Sequence, residues 1–140
     1  MTAPPTLETE RCVLTVLRPE HAHLLLAYRQ RNAAHLAPWE PTRSADDGTP
    51  LDQACYLGYS VDQEWQGQGL MREVVQAGMD YVFGTLGLHR IMANHMPSNV
   101  RSERLLRSLG FEREGYARAY LQIAGRWEDM VLNALVNPQS

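Results

Sequence analysis

A chain of 140 residues, 44% of them hydrophobic, is long enough to bury one core, and its composition predicts a single domain. With a formal net charge of −3 and a pI near 5.9, direct binding to nucleic acid is not expected. No apolar run approaches the roughly 20 residues of a membrane span, and the first residues lack the pattern of an export signal. These features predict a cytoplasmic protein with no membrane partner.

The beginning of the chain predicts a strand followed by a helix. Residues 12–17 form an apolar run typical of a strand, and an Arg-Pro-Glu sequence then suits a first helical turn. Leu24, Leu25 and Tyr28 follow at helical spacing, and the helix is expected to end near residues 31–35.

The helix is followed by a rigid corner and a polar stretch. In residues 38–41 two prolines bracket a tryptophan and Glu40, which suits the edge of a substrate site or, equally, a packing corner. Residues 42–54 are rich in Ser, Asp, Gly, Thr and Pro and contain one leucine. This composition predicts a turn or a linker outside the core.

The middle of the chain predicts a strand, a helix and a second strand. Residues 54–61 alternate in polarity, residues 70–83 carry an apolar stripe at helical spacing, and residues 89–96 form another strand. A β-α-β unit of this kind requires parallel or nearly parallel strands. The predicted apolar face of the strand at residues 54–61 consists of Cys55, Leu57, Tyr59 and Val61. Both cysteines, Cys12 and Cys55, are predicted to be free and buried.

Two glycines, Gly67 and Gly69, stand where the predicted helix begins. Unpaired backbone N–H groups and the positive end of the helix dipole can hold a pyrophosphate there without a lysine. The alternative is a loop that merely needs positive φ. A nucleoside-triphosphate loop is excluded because Leu70 and Met71 occupy its Lys-Ser/Thr positions, and a dinucleotide loop because Arg72 replaces its third glycine.

The last third of the chain predicts a capped helix and a hairpin. Ser98 or Asn99 is expected to cap a short helix that Gly110 ends. Residues 111–136 then predict an antiparallel pair that turns at an Ala-Gly sequence. The whole pattern is that of an α/β protein with a mixed sheet.

Three linked stretches of the sequence resemble the GNAT acetyltransferases: QGQG at residues 66–69, NVRS at residues 99–102 and LGFEREG at residues 109–115. The stretches CYLGY at residues 55–59 and HRIMAN at residues 89–94 are similar to the ribosomal-protein-alanine N-acetyltransferases of that family. The resemblance implies a GNAT fold, that of acyl-CoA N-acyltransferases, in one domain spanning residues 1–140. Its parts would be an N-terminal strand and helix (7–41), a short linker (42–54) and an acetyl-CoA-binding half (54–138).

The same resemblance implies acetyl-CoA as co-substrate and no metal. The side chain of Asn99 would hold the pantetheine or phosphate arm. Glu64 stands where the family usually carries Gln or Arg, so the pyrophosphate site would depend on the backbone. The residues implied for that site are Trp65, Gln66, Gly67, Gln68, Gly69 and Leu70.

The implied reaction is direct attack of a neutral amine on the acetyl thioester in a ternary complex. Leu106 stands where many relatives carry a proton-donating tyrosine, and Ser102, one helical turn from Asn99, is the replacement candidate. An ordinary exposed helix serine is the alternative. A backbone N–H at the point where the two central strands diverge would polarise the thioester carbonyl.

The general base is left open among four side chains. Histidine is the type that most readily takes up a proton near neutral pH, although this one could simply be packed. The acidic pair on the last strand could equally be a solvated edge. The candidates are Glu40, His95, Glu128 and Asp129.

The resemblance also implies that a segment is missing. The family places a second helix and two strands between the proline corner and the CYLGY strand, where this chain has only residues 42–54. Thirteen residues cannot build those elements. The acetyl-CoA-binding half is therefore expected to be more complete than the half that binds the amine.

The predicted function is acetyl transfer from acetyl-CoA to the N-terminal α-amino group of a ribosomal protein. The protein would be a monomer or a homodimer. One alternative is acetylation of a small-molecule amine or amino acid, and another is a catalytically inactive CoA-binding remnant. A structural role is the default if neither binding nor turnover occurs.

Overall fold

The computed structural model of the chain describes residues 3, 5–40 and 53–140. Its strands are β1 (Thr6–Glu8), β2 (Val13–Thr15), β3 (Ala54–Tyr56), β4 (Arg90–His95), β5 (Glu112–Ile123) and β6 (Arg126–Val136). Its α-helices are α1 (Ala22–Leu36), α2 (Leu70–Asp80) and α3 (Val100–Ser108). The strands form a mixed sheet in the order β3-β4-β6-β5 and a separate antiparallel pair β1-β2. The predicted α/β fold with a mixed sheet is confirmed.

Part of the sequence prediction cannot be compared with this structure. A second helix and two strands were expected to be missing between residues 42 and 54, and residues 42–52 of this stretch lie outside the described residues. No helix in the described part of the chain is long and apolar enough to cross a membrane.

The predicted β-α-β unit is confirmed, with β3 parallel to β4. Cys55, Leu57 and Tyr59 pack on the core as their alternation predicts, and α2 covers the same core with its apolar stripe. After Asp80 the helix continues as a π-helical turn, Tyr81–Thr85, and Gly87 at φ +64° follows it. The fully buried core consists of Val75, Met79, Ile91, Ala93, Leu106, Leu109 and Phe111.

The C-terminal hairpin is also confirmed. Ala124 and Gly125 turn it with φ of +50° and +77°, the left-handed pair that a two-residue type I′ turn requires. The hairpin lies beside the central strand because β6 pairs antiparallel with β4, with Ile91 opposite Leu135. The β-α-β unit and the C-terminal hairpin therefore share one sheet.

The N-terminal strand is shorter than predicted and has a partner that the sequence did not reveal. Residues 12–17 contain only β2, and β1 pairs with it so that Leu7 lies opposite Leu14. The turn between them is held by Thr9, whose N–H donates to the Cys12 carbonyl at 2.8 Å. Cys12 is a free thiol and half-buried, as is Cys55.

The residues of α1 that contact the rest of the chain lie further along the helix than expected, on the same face as Leu24 and Leu25. The helix ends at Leu36, close to the predicted end. Leu24 and Leu25, however, are 58% and 39% exposed. Tyr28 instead belongs to a polar stripe at helical spacing, which makes the contacts with the rest of the chain. The members of this stripe are Tyr28, Arg31, Asn32 and His35.

Glu73, in the first turn of α2, fastens the N-terminal hairpin to that helix. Its carboxylate accepts hydrogen bonds from the Thr9 hydroxyl at 2.6 Å and from the N–H and Nε of Arg11, both at 2.8 Å. Arg11 also donates to the Gln68 carbonyl at 3.0 Å. The hydrogen bonds from Thr9 and Arg11 lower the pKa of Glu73 from 4.5 to about 2.

We expect Glu73→Gln to lower the stability of the protein at about pH 7, because the amide loses the charged contact with Arg11. Since the folded-state pKa of Glu73 lies below its unperturbed value of 4.5, its stabilisation is present above about pH 4.5 and is lost as the pH falls towards 2. The difference in Tm between parent and variant, followed by circular dichroism, should therefore shrink on acidification. A difference that stays constant down to about pH 3 contradicts this account.

Glu103→Gln is the matched control for this experiment. Glu103 forms an exposed ion pair with Arg107 one turn along α3, at 2.9 Å. Pairs of this kind contribute about 0.3–0.5 kcal/mol. The control should therefore change Tm by much less than Glu73→Gln does.

Candidate active site

The glycine loop, residues 66–69, joins a short 3-10 turn to α2. Gly67 and Gly69 have φ of +75° and +73°, a conformation that costs other residues free energy. A Cβ atom added at Gly67 would meet no atom within 4 Å, so close packing does not require this glycine. The glycines serve the backbone conformation and keep the loop open to an approaching molecule.

Because of this backbone conformation, a continuous row of backbone N–H groups has no acceptor among the described residues. The N–H groups of residues 67–72 donate to no acceptor in the described part of the chain. The N-cap of α2 is Gly69, which has no side chain to cap the helix, and the bond from the Glu73 N–H to the Gly69 carbonyl spans 3.2 Å. Such a row at the positive end of a helix favours the binding of an anion.

The row differs slightly from the predicted set of pyrophosphate-binding residues. Trp65 and Gln66 use their N–H groups inside the preceding turn, donating at 2.9 Å and 3.4 Å. Met71 and Arg72, which the sequence interpretation did not include, contribute free N–H groups instead. Glu64 is exposed in the turn, and its N–H is bound to the Asp62 carboxylate at 3.1 Å. The free donors therefore begin at Gly67.

Side chains from three separate elements hold the loop in place. The Gln66 amide donates to His35 Nε2 of α1 at 2.8 Å and accepts a hydrogen bond from Arg101 of α3. Arg11 binds the Gln68 carbonyl from the N-terminal hairpin. The two guanidinium groups also bring positive charge beside the unpaired donors. Arg101 belongs to the predicted NVRS stretch, but Arg11 carried no sequence signal because 57 residues separate it from Gln68.

The polar stripe of α1 holds the chain that leads into the loop. Asn32 is 1% exposed and Asp62 is 7% exposed, so the contact is largely closed to water. The Glu64 N–H, together with Arg31, lowers the pKa of Asp62, which stays ionised as the partner of that arginine. The hydrogen bonds are Tyr28 Oη to Ser60 Oγ at 2.6 Å, Arg31 Nε to Asp62 Oδ2 at 2.7 Å and Gln63 N–H to Asn32 Oδ1 at 3.0 Å.

The two parallel strands diverge next to the glycine loop. The Leu57 N–H donates to the Met92 carbonyl at 2.8 Å, and past this point residues 58–61 leave β4. β4 continues to His95 paired only with β6 among the described strands. The N–H groups of residues 58–61 have no acceptor within the described residues. A wedge thus opens at the carboxyl ends of β3 and β4, with unpaired donors on one side.

The turn from β4 to α3 places two of the predicted residues beside each other. The Met96 carbonyl accepts the Asn99 N–H at 2.9 Å and the ring Nδ1 of His95 at 2.8 Å. Because a carbonyl can only accept, Nδ1 carries the hydrogen and Nε2 of the neutral ring is an acceptor. His95 is 4% exposed, and Nε2 makes no hydrogen bond with a described residue.

Asn99 and Ser102 form the capped first turn of α3. Asn99 Oδ1 accepts the Ser102 N–H at 3.2 Å, so the side chain implied for CoA binding also caps the helix. Ser102 is 8% exposed, and its hydroxyl is hydrogen-bonded to the hydroxyl of Tyr59. The alternative of an exposed helix serine is therefore wrong. The sequence marked Tyr59 only as part of an apolar strand face.

The other three candidate bases lie away from this turn and are differently engaged. Glu40 is ion-paired with Arg29. Asp129 accepts hydrogen bonds from the Tyr116 hydroxyl at 2.6 Å and from the N–H of Ala119 at 2.8 Å, and these bonds lower its pKa. Both carboxylates serve structural contacts. Glu128, on β6, lies opposite Leu121 of β5 and has no ion pair within the described residues.

Known proteins are similar to this chain in sequence and in fold. The Acetyltransferase (GNAT) domain pattern matches residues 44–112. Over 85 residues the chain is 59% identical to the ribosomal protein uS5-alanine N-acetyltransferase of Escherichia coli K12. The match covers 61% of this chain and 44% of that protein, so the chain spans about half the length of the curated relatives it matches.

Solved structures extend the likeness beyond the matched sequence. The ribosomal-protein-S5-alanine acetyltransferase of Vibrio fischeri superimposes with a TM-score of 0.86 and 30% identity, over 96% of this chain and 97% of that one. RimJ of Mycobacterium smegmatis, solved with a CoA disulfide, has the same fold, with a TM-score of 0.82 and 24% identity over 97% of this chain and 88% of that one. The chain belongs to the GNAT acetyltransferase family.

Proposed function

We propose that this chain transfers the acetyl group of acetyl-CoA to the N-terminal α-amino group of a ribosomal protein. The observation that carries the proposal is the row of unpaired N–H groups at residues 67–72, next to the wedge between β3 and β4. Similarity to the uS5-alanine N-acetyltransferase of E. coli supports the choice of acceptor. A ribosomal acceptor implies that the protein acts in the cytoplasm.

The geometry of the glycine loop fits a pyrophosphate. The unpaired donors would supply hydrogen bonds to phosphate oxygens, and Arg101 adds positive charge at the rim. Glu73 lies close by in the first turn of α2, but its charge is compensated by Arg11. When bound, acetyl-CoA supplies the activated acetyl thioester.

The wedge supplies groups for each stage of the transfer. An unpaired N–H of residues 58–61 would polarise the carbonyl of the thioester. His95 Nε2 would take the proton of the attacking amine as the C–N bond forms. A free α-amino group has an unperturbed pKa of about 7.7–8.0, so the base need only be modest. Ser102 would donate a hydrogen bond to the sulfur as the C–S bond breaks and the electron pair moves to sulfur.

A first prediction concerns the glycine loop. We expect Gly67→Glu to weaken acetyl-CoA binding by at least about 30-fold, since a carboxylate would face the pyrophosphate and the left-handed backbone would be strained. Isothermal titration calorimetry measures this directly. Binding that is unchanged in the variant would rule out the loop as the pyrophosphate site.

Gly125→Glu is the matched control for Gly67→Glu. Gly125 has nearly the same φ, +77°, and a Cβ atom added there would also meet no atom within 4 Å. The control carries the same charge change and the same backbone strain in the β5–β6 turn, far from the glycine loop in sequence. It should bind acetyl-CoA as the parent does, and equal losses of Tm in both variants would show that strain is matched.

A second prediction concerns the acceptor. A peptide that begins with alanine should be acetylated with a kcat/KM at least about 100-fold above that of free alanine or spermidine, because the residues after its alanine can add binding energy in the transition state. Mass spectrometry locates the acetyl group on the α-amino nitrogen. A preference for a free small amine would instead favour the alternative of a small-molecule acetyltransferase.

A CoA-binding remnant without catalysis is the second candidate function. One observation favours it: within the described residues β1 and β2 do not join the sheet that contains β3. The sequence match also covers less than half of the E. coli protein. Tight binding of acetyl-CoA without transfer to any peptide or small amine would support this candidate over the enzyme.

A third prediction assigns the base. We expect His95→Gln to lower kcat about 100-fold near pH 7, with the deficit shrinking above about pH 9, where the amine is already neutral. Glu128→Gln is the control and should leave the pH profile of kcat unchanged. A deficit of the same size at every pH would contradict a role in deprotonating the amine, and a larger effect of Glu128→Gln would transfer the role to that residue.

A further inference from the structure

Tyr59 and Ser102 meet where the two parallel strands diverge. Tyr59 lies just beyond β3, whereas Ser102 lies in the first turn of α3, beyond β4. Their hydroxyl groups are hydrogen-bonded across a sequence separation of 43 residues. The carboxyl ends of neighbouring parallel strands are the usual place for a ligand. The pair therefore spans the wedge that the proposed reaction uses.

The hydroxyl of Ser102 is not bonded as helix serines usually are. Ser108, in the same helix, donates its hydroxyl hydrogen to the carbonyl of Leu105 at 2.7 Å, a common local bond. Ser102 makes no such bond with a described carbonyl, and among the described residues its hydroxyl is hydrogen-bonded only to the hydroxyl of Tyr59. Its hydrogen is therefore not committed to the backbone of α3.

Each hydroxyl of this pair can donate to the other or accept from it. The ring of Tyr59 packs against the buried core, and this burial raises the pKa of its phenol, which keeps its hydrogen. When the phenol donates, Ser102 Oγ is the acceptor, and the serine hydrogen is directed elsewhere. Asn99 fixes the other end of Ser102 by accepting its N–H.

We propose that Tyr59 is a positioning residue, which donates to Ser102 Oγ and thereby aims the Ser102 hydrogen at the sulfur of bound CoA. This inference rests on the proposed function and adds to it the residue that orients the donor. As the C–S bond breaks, the sulfur takes the electron pair and is stabilised as thiolate by the Ser102 hydrogen bond. Tyr59 keeps its own proton and does not touch the substrate.

The first test measures ligand binding without turnover. CoA and desulfo-CoA, in which hydrogen replaces the thiol, are titrated against the parent and Tyr59→Phe between about pH 7 and 9.5, a range that spans the unperturbed thiol pKa of about 8.5. In the parent, the preference for CoA should rise about tenfold with pH, because the thiolate accepts a charge-assisted hydrogen bond. In Tyr59→Phe the rise should be under about threefold.

The second test separates positioning from packing. Tyr59→Phe keeps the ring in the core and should lower kcat about tenfold, with KM for acetyl-CoA within about twofold of the parent. If Tyr59 acts through Ser102, the double variant with Ser102→Ala should be no slower than Ser102→Ala alone. Ser108→Ala is the control and should leave kcat unchanged.

The outcomes distinguish this inference from the proposed function. If the parent binds and transfers but Tyr59→Phe has the parental kcat and the parental pH dependence of CoA binding, Tyr59 has no positioning role. If the effects of Tyr59→Phe and Ser102→Ala multiply, the two residues act independently, and the inference is again overturned. A parent that binds neither CoA nor acetyl-CoA overturns both proposals. Loss of Tm in Tyr59→Phe beyond that of Ser102→Ala would assign its effect to packing.

Discussion

The contact between α1 and residues 60–66 is the constraint on which the rest of the site depends. At its centre the Asn32 amide accepts the Gln63 N–H and donates to the Tyr28 carbonyl at 3.0 Å. A buried amide satisfied at both ends cannot move without leaving polar groups unpaired, which costs about 1–3 kcal/mol. The chain entering the glycine loop is thereby fixed against a helix.

The glycine loop is held by side chains of other elements, while its own backbone N–H groups have no acceptor among the described residues. Gln66 and Gln68 are held from three sides, by His35, Arg101 and Arg11. The N–H groups that follow have no acceptor among the described residues, which is tolerable only at a surface reached by water or a ligand. The supports hold these donors in place in advance, so that an anion would bind without the entropic cost of ordering the loop.

A second network joins the groups that would act on the reacting atoms. The Met96 carbonyl binds both His95 and the N–H of Asn99, and Asn99 in turn binds Ser102. Tyr59 completes the network from the neighbouring strand. The proposed base, the helix cap and the proposed hydrogen-bond donor are therefore positioned by one turn, and a change at one member is expected to affect the others.

The sequence by itself determined the β-α-β unit, the glycine loop, a capped helix start at Ser98 or Asn99 and the C-terminal hairpin. Each depends on local physics: alternation in a strand, spacing in a helix, or the backbone freedom of Gly67 and Gly69. The tertiary structure alone decided that Asn99 is the cap, which part of α1 is buried, that β1 pairs with β2, and which side chains meet. Arg11 and Gln68, or Tyr59 and Ser102, are 57 and 43 residues apart, and no local pattern records a contact that only chain folding creates.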